Sequence, residues 1–128
     1  MKIFKDEESS WSSKVNFVDD NDVFVGYDLS QCCCEDANWF IADKLMPYKY
    51  DESCQSLPDI DVSDYAFDRE YFESVESQDL DGGGQVAFRL VSDGKPDLYL
   101  QIFNAHNGYY GHGFKVKHGG ETVKEGYL

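Results

Sequence analysis

Apolar and polar residues alternate most regularly in the last third of the chain, residues 84–128. Val86, Phe88 and Leu90, then Leu98, Leu100 and Ile102, recur at every second position, the period of a strand with one buried face. The pattern predicts strands at 85–91, 98–104, 109–117 and 122–128. Turn-forming breaks separate them: Asp93-Gly94-Lys95-Pro96, Asn107-Gly108 and Gly119-Gly120. Taken in succession, the four strands predict an antiparallel meander.

Parity gives the meander a register, because a one-residue slip turns every side chain to the other face. A two-residue loop at Asn107-Gly108 would set Ile102 against Gly113 and Leu100 against Lys115, apolar face against polar face. A three-residue loop, His106-Asn107-Gly108, with Gly108 as a left-handed bulge removes that conflict. Ile102 then opposes His112, Leu100 opposes Phe114 and Leu98 opposes Val116. A two-residue Gly119-Gly120 loop pairs Val116 with Val123, Phe114 with Glu125 and His112 with Tyr127. One end of the inward face is aliphatic; at the other, Asn104, Tyr110, His112, Glu125 and Tyr127 gather as a candidate pocket. The reverse face carries Gly111, Gly113 and Gly126 side by side, a strip that admits another backbone or an aromatic ring.

Upstream, residues 15–18 and 23–27 flank Asp19-Asp20-Asn21-Asp22 and predict a hairpin with an acidic turn. Gly26 marks a bulge or a weak point in its second strand. The apolar segment 37–45 reads as a strand, with a helical turn as the alternative, and Pro47 ends it. Residues 1–13 show no clear period, and Trp11 is the candidate to pin them to the core. Residues 47–64 read as a surface excursion, 66–75 as strand-like and 76–84 as a loop. The length of 128 residues fits one domain spanning 1–128. The expected fold is all-β: an antiparallel sandwich or half-open barrel of seven or eight strands. Aromatics at 16% agree with a sheet-rich core.

The net charge of −14 is unevenly distributed. Residues 1–81 hold 21 acidic and 6 basic groups, whereas 82–128 hold 4 acidic and 5 basic. Phosphate backbones are attracted by Lys and Arg, so direct nucleic-acid binding is disfavoured and a basic protein partner is favoured. The candidate interaction surface is the acid-rich excursion with Asp51, Glu52, Asp59, Asp61 and Asp64; simple solubility is the competing account of the charge. No apolar run reaches membrane-span length, and the first residues turn acidic without the apolar stretch of a secretory signal. The expected setting is the cytosol, with reduced thiols.

Individual motifs carry little chemistry. Cys32-Cys33-Cys34 places Cys32 and Cys34 on one strand face about 7 Å apart, and Cys54 completes a possible metal set. The Cys-x-x-Cys knuckle of structural zinc sites is missing, and packing as small hydrophobes explains the cysteines equally well. In the expected register His106 and His112 lie roughly 13 Å apart, so the histidines are not ligands of one ion. Asp20-Asn21-Asp22 and the run 77–82 have alternating polar groups, but the latter lacks the Glu of a calcium loop, Phe88 standing in its place. Gly82-Gly83-Gly84 lacks the Gly-Lys-Ser/Thr of a phosphate loop, and no Ser–His–Asp or His-Glu-x-x-His signature occurs. No cofactor is expected.

Two short motifs, Gly26-Tyr27-Asp28 followed by Cys33-Cys34-Glu35, and Asn107-Gly108-Tyr109-Tyr110, together resemble a group of small uncharacterised bacterial and phage proteins. The resemblance covers about a fifth of the chain and brings no activity with it. It implies a bacterial or phage setting, with Cys33, Cys34 and Glu35 holding structure around the Tyr-rich hairpin. The acidic stretch 47–64 departs from that group's compact pattern. The leading expectation is a non-catalytic interaction protein of the immunity-protein or phage-inhibitor type. The alternatives are a small-molecule binder or enzyme with His112 as acid–base group and Glu125 orienting it, and a metal protein using Cys32, Cys34 and Cys54.

Overall fold

The computed structural model describes residues 1–9, 12–30, 36–48, 61–76, 83–105 and 111–128. In chain order its strands are β1 (Lys2–Ser9), β2 (Ser12–Val18), β3 (Val23–Asp28), β4 (Asp36–Ala42), β5 (Ala66–Phe67), β6 (Glu73–Ser74), β7 (Gly84–Ser92), β8 (Lys95–Ala105), β9 (Gly113–His118) and β10 (Glu121–Tyr127). They form two antiparallel sheets, β1-β2-β3-β9-β10 and β4-β8-β7-β5, with β6 also pairing β7. Neither sheet closes, so the fold is a sandwich. Among the described residues no helix is long and apolar enough to cross a membrane.

The core lies between the sheets and follows the alternation in the sequence. Val86, Phe88 and Leu90 of β7 and Leu98, Leu100 and Ile102 of β8 face Val15, Phe17, Val23, Val25 and Tyr27, all buried. Rings close the layer at both sides. Phe17 meets Trp39 edge-on at 5.1 Å, and Phe72 stacks on Phe114 at 5.9 Å while meeting Phe88 edge-on at 5.5 Å. The Tyr27 hydroxyl crosses the core to donate to the Phe103 carbonyl at 2.7 Å.

The four-stranded meander does not form. β7–β8 and β9–β10 are both hairpins, but β8 lies between β4 and β7 in one sheet while β9 lies between β3 and β10 in the other. The expected pairs Ile102–His112, Leu100–Phe114 and Leu98–Val116 are therefore absent. The parity conflict behind them is real; the chain resolves it by changing sheets between β8 and β9. The bulged turn expected at 106–108 falls outside the described residues. The last hairpin also differs. His118 and Lys117 face Glu121 and Thr122 as the Gly119-Gly120 turn predicts, and then a bulge at Val123 shifts the ladder by one. Val116 now faces Lys124, Lys115 faces Glu125, and Gly113 faces Tyr127.

Two upstream expectations also change. Residues 2–9, without a clear period, are the edge strand β1, whose described side chains between Lys2 and Asp6 are all exposed; a strand with neither face buried has no apolar alternation to read. Gly26 carries no bulge, since the β2–β3 and β3–β9 ladders run through it unbroken. Residues 66–75 hold only two short strands.

The outer face of the second sheet is covered by the chain itself. After β4, residues 43–48 fold back across it, held by two buried glutamines from β7 and β8. Gln101 donates to the Lys44 carbonyl at 3.0 Å and accepts from the Met46 N–H at 3.0 Å. Gln85 donates to the Met46 carbonyl and accepts from the Tyr48 N–H, both at 2.9 Å. Tyr48 packs on Phe103 at 4.9 Å over a second small cluster with Phe40 and Ala42. No described residue covers the outer face of the first sheet in this way.

Replacing Tyr27 by Phe removes the hydroxyl that joins the sheets and keeps the ring. The expected loss is about 1 kcal/mol of unfolding free energy, read from urea denaturation with an unchanged slope.

Candidate functional site

The expected polar cluster divides into two places. His112 and Asn104 are buried at the end of the sandwich where β8 leaves the second sheet, at 3% and 0% exposure. His112 Nδ1 lies 2.6 Å from the Asp28 carbonyl, which can only accept, so this nitrogen carries the proton. The His112 backbone exchanges hydrogen bonds with Leu128 at 3.0 and 2.9 Å, and the Asn104 amide donates to the Leu128 carbonyl at 3.0 Å. The group ties β3, β8 and the end of β10 together. Glu125 and Tyr127 are elsewhere, on the outer face of the first sheet, where Glu125 reaches Lys115 at 3.9 Å and Tyr127 is 82% exposed. The bulge at Val123 is the cause, because it reverses the parity of everything after it. Tyr110 lies outside the described residues. His112 and Glu125 thus do not form the acid–base pair considered from sequence.

At the opposite end of the sandwich the turns converge, organised by Asp19. This residue belongs to the acidic turn, yet it is only 5% exposed. Its Oδ1 accepts from the Asn21 and Val23 N–H groups at 2.9 Å each, and its Oδ2 accepts from the Phe67 N–H of the other sheet at 2.9 Å. Asp22 adopts a positive φ of 60°, a conformation Asp tolerates better than most residues, and its carbonyl accepts from the Gly119 N–H at 2.9 Å. Arg69 donates to the Asn21 carbonyl. The turn at 61–64 joins the same end: Met1 nitrogen donates to the Val62 and Ser63 carbonyls, the Tyr65 hydroxyl to Pro96, and Lys95 to Asp64 at 3.0 Å.

The result is an acidic end. Asp20, Asp22, Asp61, Asp64, Glu70, Asp93, Asp97 and Glu121 are all exposed there. Lys95 is engaged by Asp64, Arg69 by a carbonyl, and Arg89 by Asp68 through Nε at 3.0 Å. The Ser63 N–H holds the Asp61 carboxyl below its ordinary value, and the Glu70 N–H followed by Arg89 does the same for Asp68. Burial and then the hydrogen bond to Glu73 push the nearby Tyr71 hydroxyl up to about 12. The first sheet is neutral by contrast. Its strands hold Asp6, Glu7, Glu8, Asp28, Glu121 and Glu125 against Lys2, Lys5, Lys14, Lys115, Lys117 and Lys124. The strands of the second sheet are nearly neutral too, with Asp36, Glu73 and Asp97 against Arg89 and Lys95, so the net −14 resides almost wholly in the connections.

Of the expected interaction residues, Asp61 and Asp64 lie on this end, while Asp51, Glu52 and Asp59 fall outside the described residues. Sequence reasoning missed Asp93, Asp97 and Glu121 because it assigned the acid to the N-terminal two-thirds; hairpin turns from the neutral C-terminal part fold to the same end. A cavity of about 250 Å³ opens beside it between the sheets, lined by Val23, Val25, Phe67, Phe88 and Val116. Lys124 Nζ sits 3.7 Å from the centre of the Phe72 ring at its margin. Cys32, Cys34 and Cys54 lie outside the described residues, among which no group of three or more His, Cys, Asp or Glu is placed to hold a metal ion.

Compared with known protein families, curated proteins and solved structures, the chain matches none.

Asp19→Ala leaves the Val23 and Phe67 N–H groups without their acceptor and is expected to cost about 3 kcal/mol in chemical denaturation, with Asp19→Asn recovering part of it through the retained oxygen. Asp68 gives a pH signature. Its native value lies below the ordinary 3.8, so its stabilisation is complete above that value and disappears as pH falls through the lower native one. The stability difference between the wild type and Asp68→Asn should hold at neutral pH and shrink below pH about 4 in urea titrations.

Proposed function

We propose that this protein is a small, non-catalytic interaction protein, of the immunity-protein or phage-inhibitor type, that engages a basic protein partner through its acidic end. The observation that carries the reading is the segregation of charge. Eight exposed carboxylates from connections and strand ends converge on one end of the sandwich, while the strands of the first sheet, Glu121 among them, hold as many lysines as carboxylates. Aligned acidic turns on a rigid frame attract a basic surface over distances near the Debye length and orient it before contact. The frame is suited to the task because buried Asp19 anchors the turns, so exposed neighbours keep their geometry without making the tie themselves.

The residues considered for catalysis support this reading indirectly. His112 and Asn104 are engaged with backbone groups inside the fold, and Glu125 with Lys115 outside it. The bacterial or phage setting and the cytosolic location belong to the same proposal.

Steering of this kind appears in the association rate. Against the basic protein recovered with it from its host, Asp61→Asn, Asp64→Asn and Asp93→Asn combined should slow association by about tenfold at low salt, with little change in dissociation. Raising the ionic strength should slow the wild type toward the variant. An association rate indifferent to both salt and substitution would remove the proposal.

A further inference from the structure

No described residue folds across the outer face of the first sheet, and its charged side chains balance. Ladder partners give its layout. Phe4, Asn16, Gly26, Lys115 and Glu125 lie side by side across all five strands. In the next row Asp6, Lys14 and Asp28 lie across β1, β2 and β3, and Gly113 faces Tyr127 across β9 and β10. Two glycines therefore stand in the middle of the face where other strands project side chains. An open groove of about 900 Å³ runs over this face, with Gly113 in its lining and Gly26 beneath the Phe24 ring and the side chain of Asn16, which is only 4% exposed.

An aromatic ring lies against each glycine. A β-carbon on Gly26 would come within 3.0 Å of the Phe24 ring, and one on Gly113 within 3.4 Å of Tyr127 Cε1. Lys117 sits over Phe24 at 5.7 Å. Tyr127 is 82% exposed, so its ring rests on the groove floor with most of its surface open. The charges around the rings cancel, Asp6, Asp28 and Glu125 against Lys14, Lys115 and Lys117: Lys14 lies between Asp6 and Asp28, and Lys115 is paired with Glu125 at 3.9 Å.

We propose that this groove is a binding site for a neutral oligosaccharide. A sugar ring offers a face of C–H groups that packs on an open aromatic ring, and a rim of hydroxyls that both donate and accept. Tyr127 supplies the ring, and Asp6, Asp28 and Glu125, balanced by Lys14, Lys115 and Lys117, supply acceptors and donors of both signs. The volume lies near the upper end for small-ligand pockets, which suits several linked sugar units. A phosphate chain would need an excess of cations. An added peptide strand would need a sheet edge rather than a face. A second copy of the chain would set one concave face against another and leave the space between them unfilled. The site is separate from the acidic end and independent of the partner proposed for it.

The test is a titration of the full chain with fragments of β-1,4-glucan, β-1,3-glucan, α-1,4-glucan, mannan and chitin, followed by amide shifts in two-dimensional NMR. At least one fragment should shift the amides of Gly26, Gly113 and Tyr127 together. Tyr127→Ala should weaken that binding at least about tenfold, Tyr127→Phe should preserve it, and Val123→Ala, on the same strand but at the cavity side, should leave it unchanged. Because Tyr127 is exposed, each variant is expected to keep the wild-type amide pattern elsewhere. The proposal is overturned if no neutral fragment shifts these amides at about 10 mM, a concentration that would reveal even weak sites. It is equally overturned if only anionic sugars bind, or if Tyr127→Ala leaves the affinity intact.

Discussion

One buried carboxylate holds the two sheets in their working relation. Asp19 closes its own turn through the Asn21 and Val23 N–H groups and then reaches the Phe67 N–H on the opposite sheet. Removing a carboxylate from water is costly unless hydrogen bonds replace its hydration, and three convergent backbone donors provide them. The arrangement sets the β2–β3 turn, and through Asp22 and Asn21 it also sets the β9–β10 turn and the segment carrying Arg69. The exposed acids on those turns owe their common orientation to one acid that is not exposed.

The same division between internal and external polar groups runs through the molecule. Gln85 and Gln101 are buried and bind the backbone of residues 43–48, His112 binds the Asp28 carbonyl at the end of β3, Asn104 binds the Leu128 carbonyl after β10, and Tyr27 spans the core. Each satisfies groups that burial would otherwise leave unpaired. Outside lie an acidic end made from turns and a neutral grooved sheet face. Both depend on the sandwich being rigid, since neither has packing of its own to define its shape.

The alternating faces of β7 and β8 and the inward Phe114 and Val116 were legible because burial on one face leaves a period of two in the sequence. The acidic β2–β3 turn was legible too, although not that one of its carboxylates is structural: Asp19 and Asp20 are the same residue type, and only burial separates them. β1 left no signal because its described side chains lie in water. Of the candidate pocket, His112 and Asn104 do share one end, but Glu125 and Tyr127 were displaced by a single unpaired residue, Val123. The glycine strip was legible as a place for an aromatic ring, and Tyr127 lies against Gly113 there; Gly126 left the strip through the same bulge and faces Phe114 instead.

The amino-acid sequence by itself determined the all-β class, the β2–β3, β7–β8 and β9–β10 turns and the excess of acid, because these follow from local periodicity, turn chemistry and composition. Tertiary structure alone decided which sheet each hairpin joins, where the bulge falls and which acids meet. Those outcomes depend on competition among distant strands for the same ladder positions. β8 has both its edges taken by β4 and β7, so β9 pairs with β3 in the other sheet, and that exchange brought the acidic turns to one end and left a neutral face that no described residue folds across.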